Sequence, residues 1–312
     1  MSGVISRPQG SGKRDPSAKS GIISDAHLTT HVEGSVGSQP YQIEYLVVGG
    51  GGSGQSTVYP DGGAGGAGGY RTNVPSHTSG GNSQAEGPML VHPGKQYQII
   101  VGAGTSSQGQ RGNNSRFANI ISEGGASAGS HRGAGRPGGS GGGAGGEYVG
   151  PDNARGGFGK KGQGYPGGHK SSYPGGGGGG GAGAAGQGGS GTSLDGGVGI
   201  QSDINNASTW RGGGGGGNTS GSGGNGGGGA GQGNGSVNTG GGGGGGQTPS
   251  STGGTGGSGY VCVRYFSDEV PGIVTGRPST WLPQPAGGTV IHDSNISGYR
   301  IHQFTSSGIF TA

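Results

Sequence analysis

Residues 41–52 read Tyr41-Gln-Ile-Glu-Tyr-Leu-Val-Val-Gly-Gly-Gly-Gly52. The first eight are rich in β-branched and aromatic side chains, which is typical of a strand, and four glycines follow without a break. The same junction recurs at Lys95-Gln-Tyr-Gln-Ile-Ile-Val101, before Gly102. It appears in reverse order at Gly259-Tyr-Val-Cys-Val-Arg-Tyr-Phe266, after the last glycine block. Strands therefore bracket the glycine-rich region at both ends, which a disordered linker does not need.

Glycine occupies 94 of the 312 positions, with unbroken runs of seven at 175–181 and 240–246 and of six at 212–217. Such a composition without a triplet period is ordinarily read as disorder. Collagen needs glycine at every third position, and these runs carry no such phase. The ordered alternative is polyglycine II, an extended left-handed helix with three residues per turn and about 3.1 Å of rise per residue.

A single polyglycine II helix makes no internal hydrogen bonds, so its stability depends on neighbours. Ordering a residue costs about 1–2 kcal/mol, and a net hydrogen bond returns about 1 kcal/mol. The two terms nearly cancel, so many helices must stack and an ordinary sheet must anchor their ends. We therefore predict a mostly irregular and β fold with negligible α-helix: a small β-sheet that brackets a stack of polyglycine II helices. Strands 41–48 and 95–101 are expected to pair with 260–266.

The composition also limits the core and the partners. Only 25% of the residues are hydrophobic, 6% aromatic and 10% charged, so any apolar core is small and local. The formal net charge is +4, but the lysines and arginines are scattered singly, and nucleic acid is not an expected partner. The single cysteine, Cys262, rules out a disulfide framework and is expected to be buried. We find no secretion signal and no apolar stretch long enough to span a membrane, which indicates cytoplasmic synthesis without an anchor.

Three regions follow from these patterns. Residues 1–40 form an N-terminal arm, used for attachment or mobile. Residues 41–267 form the glycine-rich domain with its bracketing strands, and 116–121 and 89–91 are weaker strand candidates. Residues 268–312 form a Pro-rich connector and a C-terminal β-hairpin, with strand patterns at 289–291 and 299–305 and a Ser-Gly turn before the last residues.

Catalytic patterns are missing from the sequence. His27 and His31 have the spacing of a helical metal pair, but their segment is not amphipathic. The carboxylates are isolated, and matches to G-x-G-x-x-G arise by chance in a chain so rich in glycine. We therefore expect that the protein is not an enzyme and that it has no catalytic residues, no cofactor and no metal.

Aromatic residues with polar neighbours lie between the glycine runs, where a stack would expose loops. A ring that packs on sugar C–H groups, together with groups that bind hydroxyls, is typical of carbohydrate recognition. The candidate receptor-binding residues are Tyr59, Tyr148, Asp152, Tyr165, Tyr173 and Trp210. The alternative is that these rings only plug the ends of the stack.

Several segments, in order, resemble the glycine-rich domain of bacteriophage tail and fibre proteins. They are Ile43-Glu-Tyr-Leu-Val-Val-Gly-Gly-Gly-Gly52, Gly62-Gly-Ala-Gly-Gly-Ala-Gly-Gly-Tyr70, Pro93-Gly-Lys-Gln-Tyr-Gln-Ile-Ile-Val-Gly-Ala-Gly104, Asn114-Ser-Arg-Phe117 and Gly256-Gly-Ser-Gly-Tyr-Val-Cys-Val-Arg-Tyr265. In composition and architecture the chain is also similar to the polyglycine II sandwich of T-even-like tail-fibre adhesins, whose distal loops bind the host. The resemblance implies a virion protein, made in the host cytoplasm, with other tail or fibre proteins as partners.

The order of segments departs from that family. A segment like 299–311 usually precedes the Glu-Tyr-Leu-Val-Val strand, whereas here it ends the chain. Either this segment folds back onto strand 41–48 of its own chain, or it completes that sheet in a neighbouring subunit by strand addition.

Two functions remain open. The first is a tail-fibre or tail-tip adhesin that presents loops to a bacterial surface glycan or outer-membrane protein, as a homo-oligomer for which a trimer is the default expectation. The second is a structural virion protein, such as a capsid decoration or a tail or fibre connector, with no receptor. A secreted matrix protein predicts a leader and regular short repeats, and an RNA-binding protein predicts RGG clusters; the sequence has neither pattern.

Overall fold

The computed structural model describes residues 39–56, 62–146, 154–170, 175–190, 194–218, 220–246, 252–266, 286–292 and 298–312. Within these ranges the chain forms short antiparallel strands and long irregular stretches, and no helix. The prediction of a mostly irregular and β fold is confirmed. The strands are β1 Tyr41–Val48, β2 Tyr70–Thr72, β3 Thr78–Ser79, β4 Ser83–Gln84, β5 Met89–Val91, β6 Gln96–Ile100, β7 Ser115–Phe117, β8 Ile120–Ser122, β9 Ile200–Ser202, β10 Thr209–Arg211, β11 Tyr260–Phe266, β12 Thr289–His292, β13 Tyr299–Phe304 and β14 Gly308–Thr311.

The larger sheet has β1 near its centre. Strand β1 pairs with β11 on one edge, so that Val48 lies opposite Tyr260, and with β2 and β5 on the other. Strands β13 and β12 extend the sheet beyond β11. The side-chain amide of Asn73 fills the gap between β2 and β5, because it accepts from the Tyr45 N–H and donates to the Ile43 carbonyl. The predicted pairing of 41–48 with 260–266 is confirmed.

A second sheet has the order β14, β6, β7, β8. The prediction that 95–101 pairs with 260–266 is therefore wrong, since β6 pairs with β14 and β7 instead. The predicted C-terminal hairpin is also wrong: β13 joins the larger sheet and β14 the second one. The chain crosses between the sheets so that Phe304 and Phe310 both enter the space between them, where a hairpin would leave one of the two sheet edges unpaired.

The C-terminal strands pair within their own chain in this structure. Strand β13 lies against β11 rather than against β1, the partner expected from the sequence. Residues Ile301, Phe304, Phe310 and Ala312 are all buried there. The segment thus supplies a substantial part of the apolar core.

One apolar cluster lies between the two sheets and is aromatic. A second, with Leu46, Tyr70 and Cys262, lies on the other face of the larger sheet. Rings of Tyr45, Tyr97, Phe117 and Phe310 meet with centroid distances of 6.1–6.4 Å. Aromatic pairs at such distances contribute about 0.5–1.5 kcal/mol beyond their buried area. This local sandwich anchors the glycine-rich segments.

Those segments leave the sheets as extended chains that bond to neighbours in three directions in turn. Along 49–55, the N–H groups of Gly49, Gly52 and Gln55 donate to segment 62–69, those of Gly50 and Ser53 to 110–114, and those of Gly51 and Gly54 to 252–259. A repeat of three residues is the period of polyglycine II. The predicted stacking of glycine helices is therefore present in this region, which we call the glycine stack.

Segment 62–69 lies at the centre of the glycine stack. Its N–H groups donate to segments 240–246, 123–126 and 177–180, and its carbonyls accept from segments 49–55, 140–143 and 215–218. Backbone polar groups buried in this way are satisfied by other backbone groups. Six neighbours around one helix give hexagonal packing.

Glycine is required wherever a side chain would point at one of these neighbours. A Cβ at Gly65 would fall on the Gly52 carbonyl, 2.6 Å from its carbon. Ala64 and Ala67, three residues apart, are fully buried on the one side of this helix that accommodates a methyl group. The placement of alanine therefore follows the three-residue period.

The glycine stack has two ends. At the sheet end, Gly49, Gly69 and Gly259 join β1, β2 and β11. At the far end, Gly62 donates to Gly246, and Gly246 donates to Gln55. The N-terminal side of β1 and the C-terminal side of β14 lie on the side of the sheets away from the stack, since Tyr41 pairs with Val91 and Thr311 with Gln96.

Candidate functional site

Four of the candidate receptor-binding residues, Tyr59, Tyr148, Asp152 and Tyr173, lie outside the described residues. Their role stays a prediction. What the structure gives is the position of the described residues on either side of them. These are Ser56 and Gly62, Gly146 and Ala154, and Lys170 and Gly175.

All of these flanking residues lie at the far end of the stack. Gly62 and Gln55 are linked there through Gly246. Segment 140–146 runs antiparallel to segment 62–69, with Gly143 donating to Ala64, so its last residue lies at that same end. Lys170 donates to Ala154 across a bridge. The chain thus leaves and re-enters the stack at one end for all three loops.

Tyr165 and Trp210 lie at the opposite, sheet end. The Tyr165 N–H donates to the Gly181 carbonyl at 3.0 Å, one residue before Ala182, which donates to Gly212. Trp210 belongs to β10, which ends at Arg211, the residue before Gly212, and its side chain is 40% exposed. The structure therefore does not place these two rings with the flanks of the other four candidates.

The β9–β10 hairpin holds Trp210 in a fixed position. Gln201 lies opposite it, and the Gln201 amide donates to the Ser208 hydroxyl at 2.6 Å. The next residue, Arg211, is buried with its guanidinium carbon 3.9 Å from the centre of the Tyr260 ring. A cation over an aromatic ring in a desolvated site contributes about 2 kcal/mol. Trp210 is thus an exposed ring on a well-anchored hairpin.

Contacts of Asp203, in the turn between β9 and β10, fasten the same hairpin to the larger sheet. The Asp203 carboxylate lies 3.1 Å from His77 Nε2 and 3.7 Å from the Arg264 guanidinium. Arg264 also contacts Glu44 across the β1–β11 pair at 2.5 Å. These groups bind one another, so the hairpin is part of the folded unit.

Burial changes the acidity of several side chains beneath the hairpin. Desolvation raises the pKa of Tyr70 to about 12, and that of the Cys262 thiol to about 12. It also raises the pKa of Tyr260 above its ordinary value. A buried thiol held neutral is a weak nucleophile. Cys262 thus packs as a small apolar residue, as the sequence predicts.

Within the described ranges, no group of three or more His, Cys, Asp or Glu side chains could hold a metal ion. The same residues contain no helix long and apolar enough to cross a membrane. A shallow groove of about 710 Å³ lies beside β5, β6 and β7. Its carboxylate, Glu86, is already engaged by Arg71 and by the Tyr45 hydroxyl, so the groove offers no free acid.

Stacked glycine helices closed by a small β-sandwich define the class of this protein: a glycine-rich β protein held together mainly by its backbone. A family model described as a glycine-rich domain matches residues 29–266, and the chain belongs to that family. The match ends at the last residue of β11, so β12, β13 and β14 lie outside it. No curated protein and no solved structure shows significant similarity to the chain.

Proposed function

We propose that this chain is a non-enzymatic bacteriophage virion protein, a tail-fibre or tail-tip component that presents loops to the bacterial surface. The observation that carries the proposal is that the two ends of the glycine stack differ. The strands that lead to the N-terminal arm and the C-terminus lie on the sheet side, and the flanks of three aromatic-bearing loops lie at the far end.

A rigid scaffold favours binding by the loops that it displays. Loops displayed on a scaffold with buried, fully bonded backbone lose less freedom on binding than loops on a flexible chain. The glycine stack supplies such a scaffold without needing a large apolar core. The resemblance of the bracket segments to phage tail and fibre proteins supports the assignment to a virion.

In this proposal the sheet side attaches to other tail or fibre proteins, in a homo-oligomer for which a trimer is the default. The far-end loops, with Tyr59, Tyr148, Asp152 and Tyr173, contact a surface glycan or an outer-membrane protein. Tyr165 and Trp210 are assigned no role in that contact, because they lie at the other end.

The test combines location and adsorption. Immunogold electron microscopy of particles produced from the same genome shows whether the protein is on the tail. Particles that carry Tyr148→Ala and Tyr173→Ala are then compared with particles that carry Trp210→Ala. We expect adsorption to host cells to fall at least tenfold for the first variant and to stay at the wild-type level for the control.

The possible outcomes distinguish an adhesin from a structural virion protein and from a protein that is not part of the virion. Absence of the protein from purified particles overturns the proposal. Wild-type adsorption by both variants, with the protein present and needed for particle assembly, supports the alternative of a structural virion protein without a receptor.

A further inference from the structure

Three outer segments of the glycine stack lie side by side and form one face. Segment 154–159 is in the middle, with Gly142 beneath it. Segment 134–138 donates two backbone hydrogen bonds to one side of it, and segment 165–170 donates two to the other. We call the exposed side chains of these segments, together with the turn at Lys161, the outer face.

The middle segment points two side chains straight out. A Cβ at Gly156 would contact the Gly167 backbone, and one at Gly157 would contact the Arg136 backbone, so those positions face the neighbouring helices. Arg155 and Phe158 occupy the third direction and are exposed, Phe158 to 74%. They are one helical turn apart, about 9 Å.

The neighbours add positive charge to this surface. Arg136 is exposed on one flanking segment, His169 on the other, and Lys161 on the turn that follows the middle segment. No carboxylate among the described residues pairs with Arg136, Arg155 or Lys161. Glu123, at the margin, is already paired with Arg111 at 3.5 Å and Lys160 at 3.2 Å.

We propose that the outer face binds an anionic polysaccharide. The cations bind carboxylate or phosphate groups along the polymer, and Phe158 packs against the C–H face of a sugar ring. The rigid backbone keeps these groups in place before the ligand arrives, which lowers the entropy lost on binding. The outer face runs along the side of the glycine stack, and its Arg155 and His169 adjoin the flanks of the far-end loops. The proposal does not depend on the role of those loops.

The arrangement fits a sparsely charged polymer better than nucleic acid. Duplex DNA carries one charge per about 1.7 Å, and its binding proteins commonly contact about 6–10 phosphates. The outer face offers Arg136, Arg155 and Lys161, with His169 beside them. A polymer with one carboxylate per sugar carries fewer charges per unit length than duplex DNA, which suits a face with so few cations.

The test measures binding of the full chain to polygalacturonate oligosaccharides by calorimetry in low salt, with neutral dextran of matched length as the reference ligand. We expect binding to polygalacturonate alone. Arg136→Gln with Arg155→Gln should weaken binding about tenfold, as expected for two exposed ion pairs. Phe158→Ala should weaken it further, whereas Phe158→Tyr should retain it.

The matched control, Lys95→Gln with Arg116→Gln, removes the same charge from the second sheet and should bind like wild type. Thermal unfolding of each variant checks that the fold is kept. Equal weakening in the control, or no binding by wild type, would overturn the proposal. Tighter binding of duplex DNA that is lost in the Arg136 and Arg155 variant would overturn the assignment to a polysaccharide.

Discussion

Gly65→Ala adds one methyl group at the centre of the glycine stack. Its Cβ would lie 2.6 Å from the Gly52 carbonyl carbon and 2.8 Å from the Ser53 carbonyl carbon, closer than side chains pack in folded proteins. Segment 49–55 would have to withdraw by roughly 1 Å. Its hydrogen bonds to segment 62–69, now 2.9–3.0 Å long, would then exceed the usual range of about 2.7–3.2 Å.

The hydrogen bonds at risk can be named. Gly52 donates to Gly66 at 2.9 Å, Gly49 donates to Gly69 at 2.9 Å, and Gln55 donates to Gly63 at 3.0 Å. A buried donor or acceptor left without a partner costs about 1–3 kcal/mol. Alanine offsets this by about 0.4–1 kcal/mol, because it restricts the unfolded chain. We expect Gly65→Ala to lower the free energy of unfolding by about 2–4 kcal/mol, against a typical total of about 5–15 kcal/mol.

Urea unfolding followed by tyrosine fluorescence measures this change. Gly87→Ala is the matched control, because a Cβ there meets no atom within 4 Å, and it should be neutral or stabilise by up to about 1 kcal/mol. Ala67→Gly makes the reverse change in the same helix and should destabilise by about 1–2 kcal/mol. A Gly65→Ala protein as stable as wild type, within about 0.5 kcal/mol, would refute the close packing from which the magnitude is derived.

Three further predictions concern the sandwich. Phe310→Ala should cost about 3–5 kcal/mol, whereas Ile309→Ala, at a side chain 50% exposed, should change the free energy of unfolding by less than about 1 kcal/mol; equal losses would contradict the placement of β14. Cys262 should resist iodoacetamide in the native protein at pH 8 and react in denaturant, because burial keeps its thiol neutral; rapid native labelling would contradict this. The free energy of unfolding should stay constant below about pH 9 and fall as the pH rises towards 12. The reason is that the unfolded chain loses protons from Cys262 and Tyr70 at their ordinary pKa values, whereas the folded chain keeps them. A free energy of unfolding that does not change up to pH 12 would contradict this prediction.

The junction at Val48 and Gly49 could be read from the sequence, because strand residues and glycines differ so sharply in side chain. The partner of β6 could not. The alternation in Lys95–Val101 identifies a strand with one buried face, but that face fits either sheet of a sandwich equally well. The choice depends on where Phe310 enters the core, more than 200 residues further along the chain.

The outer face, likewise, could be predicted from the sequence only in part. The spacing of Arg155, Phe158 and Lys161 by three residues is visible in the sequence and matches one face of a polyglycine II helix. The neighbours of that helix are set by the order in which segments stack, which the repetitive glycine pattern does not encode locally. Arg136 and His169 therefore look like isolated charges until the three segments are seen side by side.

Native-state amide hydrogen exchange of segment 62–69, compared with β1, tests the backbone-bonded glycine stack most directly. If the stack is a cooperative part of the fold, amides of Gly65, Gly66 and Gly68 exchange only through global unfolding, with protection on the order of 10⁴ or more and equal to that of Leu46 and Val47. Exchange of these glycines at the rate of an unstructured peptide, while β1 stays protected, would contradict the account.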